Sequence, residues 1–216
     1  MPQQPLEQRV GIFIDVQNMF YAAKHLYGSK LNFTRLLDYV SRGRPLVRAI
    51  SYIIKTPEID QSNFLAMLRS NSYEIRSKDL KQRPDGSAKG DWDMGLALDA
   101  LAMADRLDVV AIVSGDGDFV DLVNFLKARG VRVEVYSFPY STAEELRHTA
   151  TEFYQMGPEV VMNPQRPLIR PLGDGLIESR DGISERDGIG ERDGIGERDG
   201  IGELDGEPDF FIEAVN

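Results

Sequence analysis

The stretch VVAIVSGDGDFVDLV, residues 109–123, ends an apolar strand pattern with two aspartates. Five apolar residues lead into Ser114, and Asp116 and Asp118 follow before apolar residues resume at helical spacing. One acid is enough to cap a helix, and two carboxylates two residues apart repel each other. The pair therefore indicates a site that gathers negative charge for a chemical purpose.

A second pair of acids precedes another helical pattern, and a single acid ends the first strand pattern. Asp91 and Asp93 open KGDWDMGLALDAL, and Asp15 ends VGIFID. A capping role accounts readily for Asp93, because an acid suits the first turn of a helix. Asp15 is harder to explain in that way, since an unpaired carboxylate at the end of a buried strand is costly.

Acids grouped in this way are suitable ligands for a hard divalent cation. Mg²⁺ takes oxygen atoms from one or two carboxylates and keeps several waters, which leaves room for a substrate phosphate. Such a cation activates water and neutralises charge as a phosphodiester is attacked. The chain has no cysteine and two histidines, which argues against a thiolate or histidine metal centre and against a Ser–His or Cys–His nucleophile. Gly115 and Gly117 are expected to let the backbone turn sharply and approach the substrate.

Strand and helix patterns alternate along residues 10–163. This alternation predicts a parallel sheet with helices on both faces. Ligands of such sheets bind outside the carboxyl ends of the strands, where the strand order reverses. The predicted strands are 10–16, 46–55, 73–79, 108–114 and 131–137, the predicted helices are 18–28, 33–43, 59–71, 93–106 and 118–130, and TAEELRHTATEFYQM (142–156) closes the series.

Three separated segments, FIDVQN, KGDWDMGLALDAL and SGDGDFVDLV, resemble the signature segments of the NYN domain. This is the LabA-like branch of the PIN-like nuclease superfamily, and the resemblance extends from residue 10 to about residue 160. It implies a three-layer α/β/α, Rossmannoid domain with a parallel sheet in the order 3-2-1-4-5. In that order the first and fourth strands are neighbours, which sets Asp15 beside Asp116. The resemblance also implies metal-dependent ribonuclease activity on RNA.

The resemblance assigns roles to individual positions. It makes Asp15, Asp93, Asp116 and Asp118 the catalytic acids and the ligands of Mg²⁺ or Mn²⁺, with orientation of the attacking water as an alternative role for Asp118. Asp121 is expected on the surface. The residues expected to support these ligands or to contact the substrate are Asn18, Lys89, Asp91, Ser114, Gly115 and Gly117.

The charge of the chain is unevenly distributed. Residues 1–163 hold 19 Lys and Arg against 21 Asp and Glu, a net charge of −2, whereas residues 164–216 hold 6 against 14, a net charge of −8. A local excess of positive charge can meet a phosphate backbone even in a chain with a net negative charge. Such an excess, which is also compatible with an ordinary solvated loop, comes from Arg69, Arg76, Lys78, Lys81, Arg83 and Lys89.

Other functions are compatible with parts of the pattern. A regulatory module could use the same pocket to bind RNA or a nucleotide without cleaving it, and recruit a partner through the tail. The number of acids favours an enzyme, because RNA binding alone has no use for negative charges that face phosphate. A phosphatase of the haloacid dehalogenase type would need a second Asp two residues after the first, where this chain has Gln17. A Rossmann nucleotide binder would need a glycine-rich loop after the first strand.

Residues outside the predicted domain differ in composition from those within it. Residues 1–9 are expected to be flexible. Residues 164–216 begin with a Pro/Gly linker and continue with RDGISE and three copies of RDGIGE (180–203), each unit with one isoleucine. Such units cannot bury a core, so a disordered acidic spacer is expected. Its final segment, EPDFFIEAVN, is either a docking motif for a protein partner or a frayed terminus.

The sequence predicts no contact with a membrane. No stretch approaches the roughly 18 apolar residues of a membrane span, and the N-terminus MPQQPLEQR lacks the apolar core of a signal peptide. We therefore expect the protein in the cytoplasm.

The low apolar content of the tail leads to a first prediction. Deletion of residues 164–216 is expected to leave the melting temperature and any nuclease activity nearly unchanged, because the tail contributes little to a core. Thermal melts of the full chain and the truncated chain test this. A drop of many degrees on truncation would show that the repeats pack against the domain.

Overall fold

The computed structural model describes residues 8–56, 59–82, 88–89, 92–164, 169–172 and 176–179. The hexapeptide repeats, the EPDFFIEAVN segment, Asp91 and the first seven residues lie outside this range, so the expectations for them remain predictions.

Strands and helices broadly alternate as far as the last strand of the central sheet, except that the first two helices follow one another directly and the third, fourth and fifth strands all precede the fourth helix. In chain order the strands are β1 (Val10–Asp15), β2 (Leu46–Lys55), β3 (Glu74–Asp79), β4 (Lys81–Gln82), β5 (Ala88–Lys89), β6 (Val109–Val113), β7 (Arg132–Ser137), β8 (Glu152–Gln155), β9 (Ile169–Leu172) and β10 (Leu176–Ser179). The helices are α1 (Val16–Tyr27), α2 (Phe33–Ser41), α3 (Ser62–Ser70), α4 (Asp93–Met103), α5 (Val120–Ala128) and α6 (Glu144–Thr149).

Six of these strands form one parallel sheet in the order β3-β2-β1-β6-β7-β8. Counted along this sheet alone, the order is 3-2-1-4-5-6, so the predicted order 3-2-1-4-5 is confirmed and one edge strand is added. The added strand is β8, the second half of the TAEELRHTATEFYQM unit. Two short antiparallel pairs lie apart from this sheet: β4 with β5, and β9, in the segment predicted to be a linker, with β10 directly after it.

Helices cover both faces of the sheet, which completes the predicted three layers. Side chains alternate between faces along a strand, and in β1 Ile12 and Ile14 face one core while Phe13 faces the other. The first core contains residues of α1, α2 and α3, and the second contains residues of α4, α5 and α6. Both faces of the central strands are buried, which explains why β1 and β6 are almost continuously apolar.

The register of β1 and β6 fixes where their acids emerge. Ile14 pairs with Val113 at the carboxyl ends of the two strands. The residues that follow, Asp15 and Ser114, therefore leave the sheet side by side. The strand order reverses between β1 and β6: β2 and β3 lie on one side of β1, and β6, β7 and β8 lie on the other. Ligand sites of open α/β sheets form at such points.

A buried ion pair ties the loop after α2 to β7. Arg44 donates two hydrogen bonds of 2.9 Å to the carboxylate of Glu134, whose side chain is 2% exposed. Glu134 also accepts from Tyr136 at 2.7 Å and from Arg132 at 3.1 Å. The carboxylate is thus fully compensated by its neighbours, and its removal would leave the Arg44 guanidinium in a buried position without its anion.

This arrangement yields a second prediction. Glu134→Gln is expected to lower the free energy of unfolding by about 3–5 kcal/mol, because it removes the negative charge of a buried ion pair and leaves the positive charge of Arg44 in place. Glu74→Gln is the matched control, since Glu74 pairs with Arg48 at the surface and its loss should cost less than about 1 kcal/mol. Urea denaturation of both variants measures the difference. Equal losses of unfolding free energy in the two variants would contradict the description of the Arg44–Glu134 pair as a buried ion pair that stabilises the fold.

Candidate metal and catalytic site

Three aspartates from different elements bring their carboxylates together at the carboxyl edge of the sheet. Asp15 ends β1, Asp93 begins α4, and Asp116 lies in the loop after β6. One carboxylate oxygen from each residue lies within 4.8 Å of the other two, and all three residues are half-buried. Oxygen atoms grouped so closely are suitable ligands for one divalent cation.

Asp15 serves a structural role as well as belonging to this cluster. It is the N-cap of α1, and its carboxylate accepts a 3.1 Å hydrogen bond from the Asn18 N–H. The Ser114 hydroxyl donates to the other carboxylate oxygen at 3.4 Å. Asp15, which is harder to explain as a cap from the sequence, is therefore a cap after all, because the strand passes directly into the helix and Asp15 is the junction residue.

The protonation of Asp15 reflects its crowded position. Burial raises the pKa of its carboxyl from 3.8 to about 6, against the lowering effect of the Asn18 hydrogen bond. This net rise also includes the negative charges of Asp93 and Asp116, which raise the pKa, and the hydrogen bond from Ser114, which lowers it. A bound cation would reverse the balance by favouring the charged carboxylate.

Asp93 is positioned by the residue before it. Trp92 occupies the N-cap position of α4 without a capping hydrogen bond from its side chain, so Asp93 is the first helical residue rather than the cap. The Trp92 indole N–H donates to the Ile53 carbonyl at 2.9 Å, and its ring packs against Tyr52 with 5.4 Å between ring centroids. These contacts fix the beginning of α4 to β2, and with it the Asp93 carboxylate.

Gly95 allows the Trp92 ring to lie against α4. A Cβ atom at Gly95 would lie 2.4 Å from a carbon of the indole, closer than side chains tolerate. The ammonium group of Lys78 lies 4.1 Å from the centre of the same ring, a cation–π contact. The tryptophan therefore packs against groups from β2, β3 and α4.

A second anchor holds α4 farther along its length. The Asp99 carboxylate accepts from the Tyr52 hydroxyl at 2.9 Å and from the Arg76 guanidinium at 3.2 Å. Two cations of the predicted RNA-binding segment, Arg76 and Lys78, are thus engaged with α4 and with Trp92. The positive charge of this segment contributes to the folding of the domain as well as to its surface potential.

The loop after β6 is shaped by short hydrogen bonds. Asp116 caps the turn that follows, and its carboxylate accepts from the Asp118 N–H at 3.0 Å. The Asp116 N–H donates to the Ser114 hydroxyl oxygen at 3.2 Å. Asp118 itself is exposed and does not belong to the group of three carboxylates. The structure therefore brings together three of the four acids predicted from the sequence.

Gly115 and Asn18 join the two acidic loops. The Gly115 N–H donates to the Asn18 side-chain carbonyl at 3.0 Å, so the expected supporting residue Asn18 bridges α1 and the loop after β6. A Cβ atom at Gly115 would lie 1.7 Å from the carbonyl oxygen of Ser141. Neither Gly115 nor Gly117 has a positive φ angle. The observed requirement for glycine at position 115 is therefore packing against the segment after β7, and not a left-handed backbone conformation.

The remaining predicted residues have different outcomes. Ser114 is fully buried and contacts both Asp15 and Asp116. Lys89 lies in β5, and Asp91 lies outside the described residues. Sequence reasoning missed Trp92 and Gly95 as positioning residues. Their signal was a lone tryptophan directly before a candidate ligand with a glycine three residues later, which is the spacing of one helical turn.

Comparisons with known proteins identify the family of this chain. Residues 9–157 match the NYN domain family. Among curated proteins, the low amplitude and bright protein LabA of Synechococcus elongatus is 35% identical over 156 residues, which cover 68% of this chain and 82% of LabA. A crystal structure of a protein of unknown function, VPA0982 of Vibrio parahaemolyticus, is 34% identical with a TM-score of 0.68 and covers 74% of this chain and 99% of its own.

The three-layer fold and the acidic cluster define a protein of the PIN-like nuclease superfamily. Within it, the chain belongs to the NYN domain family, as the three sequence segments predict. In the part of the chain that the structure describes, no helix is long and apolar enough to cross a membrane.

The pKa of Asp15 generates a third prediction. Because this pKa is raised on folding, from 3.8 to about 6, the protonated carboxyl stabilises the fold below about pH 4, and this stabilisation is lost as the pH rises through about 6. Asp15→Asn removes the titration and keeps the cap. In chelator, the stability of the wild type relative to this variant is expected to fall by about 3 kcal/mol from pH 4 to pH 7.5.

Metal provides the second half of this test. At pH 7.5, Mn²⁺ should stabilise the wild type by roughly 2.7 kcal/mol at a hundredfold excess over its dissociation constant, and should stabilise Asp15→Asn much less. Denaturant titrations at the two pH values, with chelator or with Mn²⁺, measure both effects. A stability difference that changes neither with pH nor with metal would overturn the description of Asp15 as a crowded cation ligand.

Proposed function

We propose that this protein is a metal-dependent ribonuclease that hydrolyses phosphodiester bonds of RNA. The observation that carries the proposal is the convergence of Asp15, Asp93 and Asp116, whose carboxylate oxygens lie within 4.8 Å of one another. Three elements and their anchors hold these like charges together against their repulsion. Membership of a nuclease superfamily supports the same conclusion.

The donor set fits a hard divalent cation, Mg²⁺ or Mn²⁺. All three ligands are carboxylates, which such ions prefer, and the half-buried position leaves one side open to water and to phosphate oxygen. When bound, the cation would supply charge neutralisation at the phosphate and a water of lowered pKa.

The residues around the cluster have complementary roles in this proposal. Asp15, Asp93 and Asp116 hold the cation. Asp118 is exposed two residues beyond Asp116, and we assign it to orient the attacking water rather than to bind metal. Asn18 keeps the Gly115 backbone in place through its 3.0 Å hydrogen bond. Lys89 and the neighbouring basic residues are assigned to the RNA backbone.

The rest of the chain has supporting roles in this proposal. Residues 10–163 form the catalytic domain, and the acidic tail is proposed to recruit a protein partner through EPDFFIEAVN. An RNA substrate suits action in the cytoplasm. A module that binds RNA or a nucleotide without cleaving it would use the same pocket, and the experiment below distinguishes it.

The fourth prediction tests the activity itself. Purified protein is expected to cleave a mixed pool of single-stranded RNA in millimolar Mn²⁺ or Mg²⁺, and not in chelator. Asp93→Asn and Asp116→Asn should each lower the rate on the order of 100-fold or more, since loss of a ligand costs at least as much as loss of its supporting contacts. Asp121→Asn, a change at an exposed acid of the same segment, is the matched control and should retain full activity.

Metal binding can be measured in the same samples without relying on cleavage. Trp92 is the single tryptophan of the chain and directly precedes Asp93, so its fluorescence should change on Mn²⁺ titration in the wild type and much less in the two variants. Cleavage that persists in Asp93→Asn and Asp116→Asn would reveal a contaminant or another site. Metal binding without any cleavage would favour the non-catalytic module.

A further inference from the structure

A tight turn after β7 lies at the same edge of the sheet as the three acids. The Ser141 N–H donates to the Phe138 carbonyl at 3.3 Å, which closes a turn with Pro139 in the second position and Tyr140 in the third. Tyr140 has a φ angle of 65°, in the left-handed region. Proline followed by a residue with positive φ is the pattern of a type II turn, whose third position favours glycine.

Tyrosine is an unfavourable residue at this position. A bulky side chain with positive φ strains the backbone, and such strain is retained where surrounding structure holds it in place, often at functional sites. The Tyr140 side chain gains little in return from the fold. It is 53% exposed, and the described residues give its ring no aromatic contact and its hydroxyl no hydrogen bond.

The turn is fixed directly to the acidic loop. The Ala143 N–H donates to the Gly115 carbonyl at 2.9 Å, and the Ser141 carbonyl lies against the Gly115 Cα, where a methyl group would not fit. The Thr142 hydroxyl donates to the Phe138 carbonyl at 2.9 Å and braces the turn from within. Tyr140 is therefore an exposed ring on a rigid support, adjacent to the loop that carries Asp116.

We propose that Tyr140 is a stacking platform for an unpaired base of an RNA substrate. This inference rests on the proposed function of the acidic site and narrows its substrate to single-stranded RNA. Aromatic rings bind bases by stacking without selecting among them, because every base has a π face. A base held on Tyr140 would be bound on the turn that is fixed to the Asp116 loop.

A comparison with the other exposed aromatic ring identifies a matched control. Among the described residues, Phe125 is exposed to a similar extent, 50%, but lies in the second half of α5. The Arg129 guanidinium lies 5.9 Å from the centre of its ring. Phe125 lies away from the beginning of α5, which is the end of the helix next to the acids. Its replacement by alanine therefore removes exposed aromatic surface without changing the edge of the sheet that carries the acids.

The experiment compares Tyr140→Asn, Tyr140→Phe and Phe125→Ala with the wild type. Asparagine accepts positive φ more readily than tyrosine, so Tyr140→Asn should melt no lower than the wild type. Binding of a fluorescent single-stranded RNA in chelator, where cleavage is prevented, should weaken about 5- to 150-fold in Tyr140→Asn. It should be nearly unchanged in Tyr140→Phe and Phe125→Ala.

A spectroscopic signature separates stacking from a general loss of affinity. RNA that carries 2-aminopurine should lose fluorescence on binding to the wild type and to Tyr140→Phe, but not on binding to Tyr140→Asn at saturating protein. Equal affinity and equal quenching in Tyr140→Asn would overturn the proposal, and so would the absence of RNA binding by the wild type.

The outcome for the proposed function is read separately, by adding Mn²⁺. If RNA is cleaved equally by the wild type and Tyr140→Asn and the substitution does not affect binding, the proposed nuclease activity stands and the role of Tyr140 in stacking is rejected. If a base stacks on Tyr140 but no RNA is cleaved, the role of Tyr140 in stacking is supported and the proposed nuclease activity is rejected.

Discussion

Repulsion among three carboxylates is the constraint around which this domain is organised. Asp15, Asp93 and Asp116 place oxygen atoms within 4.8 Å of one another, and the burial of Asp15 makes its negative charge costly enough to raise its pKa to about 6. Groups that repel do not assemble by themselves, so the rest of the fold must bring them together. Adjacent parallel strands do this for Asp15 and Asp116, because the chain returns to the side of β1 only after completing β2 and β3.

The third acid depends on anchors that lie outside the cluster. Trp92 binds the Ile53 carbonyl in β2. Asp99 binds Tyr52 in β2 and Arg76 in β3, so α4 is attached to these two strands at two points along its length. Elsewhere in the domain, charge is compensated by pairs such as that of Arg44 with Glu134. Stability and the proposed function are thus supported by different parts of one sheet.

The same edge of the sheet connects the acids to a surface that could receive substrate. Gly115 contacts Asn18 on one side and the Ser141 carbonyl on the other, so a movement of either loop would disturb both. Tyr140 is carried by the second of these loops in a strained conformation. A rigid support of this kind is what a substrate-binding ring needs, because little ordering then remains to be done when a ligand binds.

The sequence by itself indicated the three layers, and its resemblance to the NYN domain implied the order of the first five strands and the acids of the site. A nearly continuous apolar run marks β1 as a strand buried on both faces, and an acid at the end of a buried strand is visible without coordinates. It did not determine that Asp118 stands apart from the cluster, that Asp15 caps a helix, or why residue 115 is glycine. Those features arise where segments distant in the chain touch, as Gly115 meets Ser141. Local periodicity specifies which face a residue occupies, whereas strand register and loop packing decide which residues become neighbours, and these exist only in the folded chain.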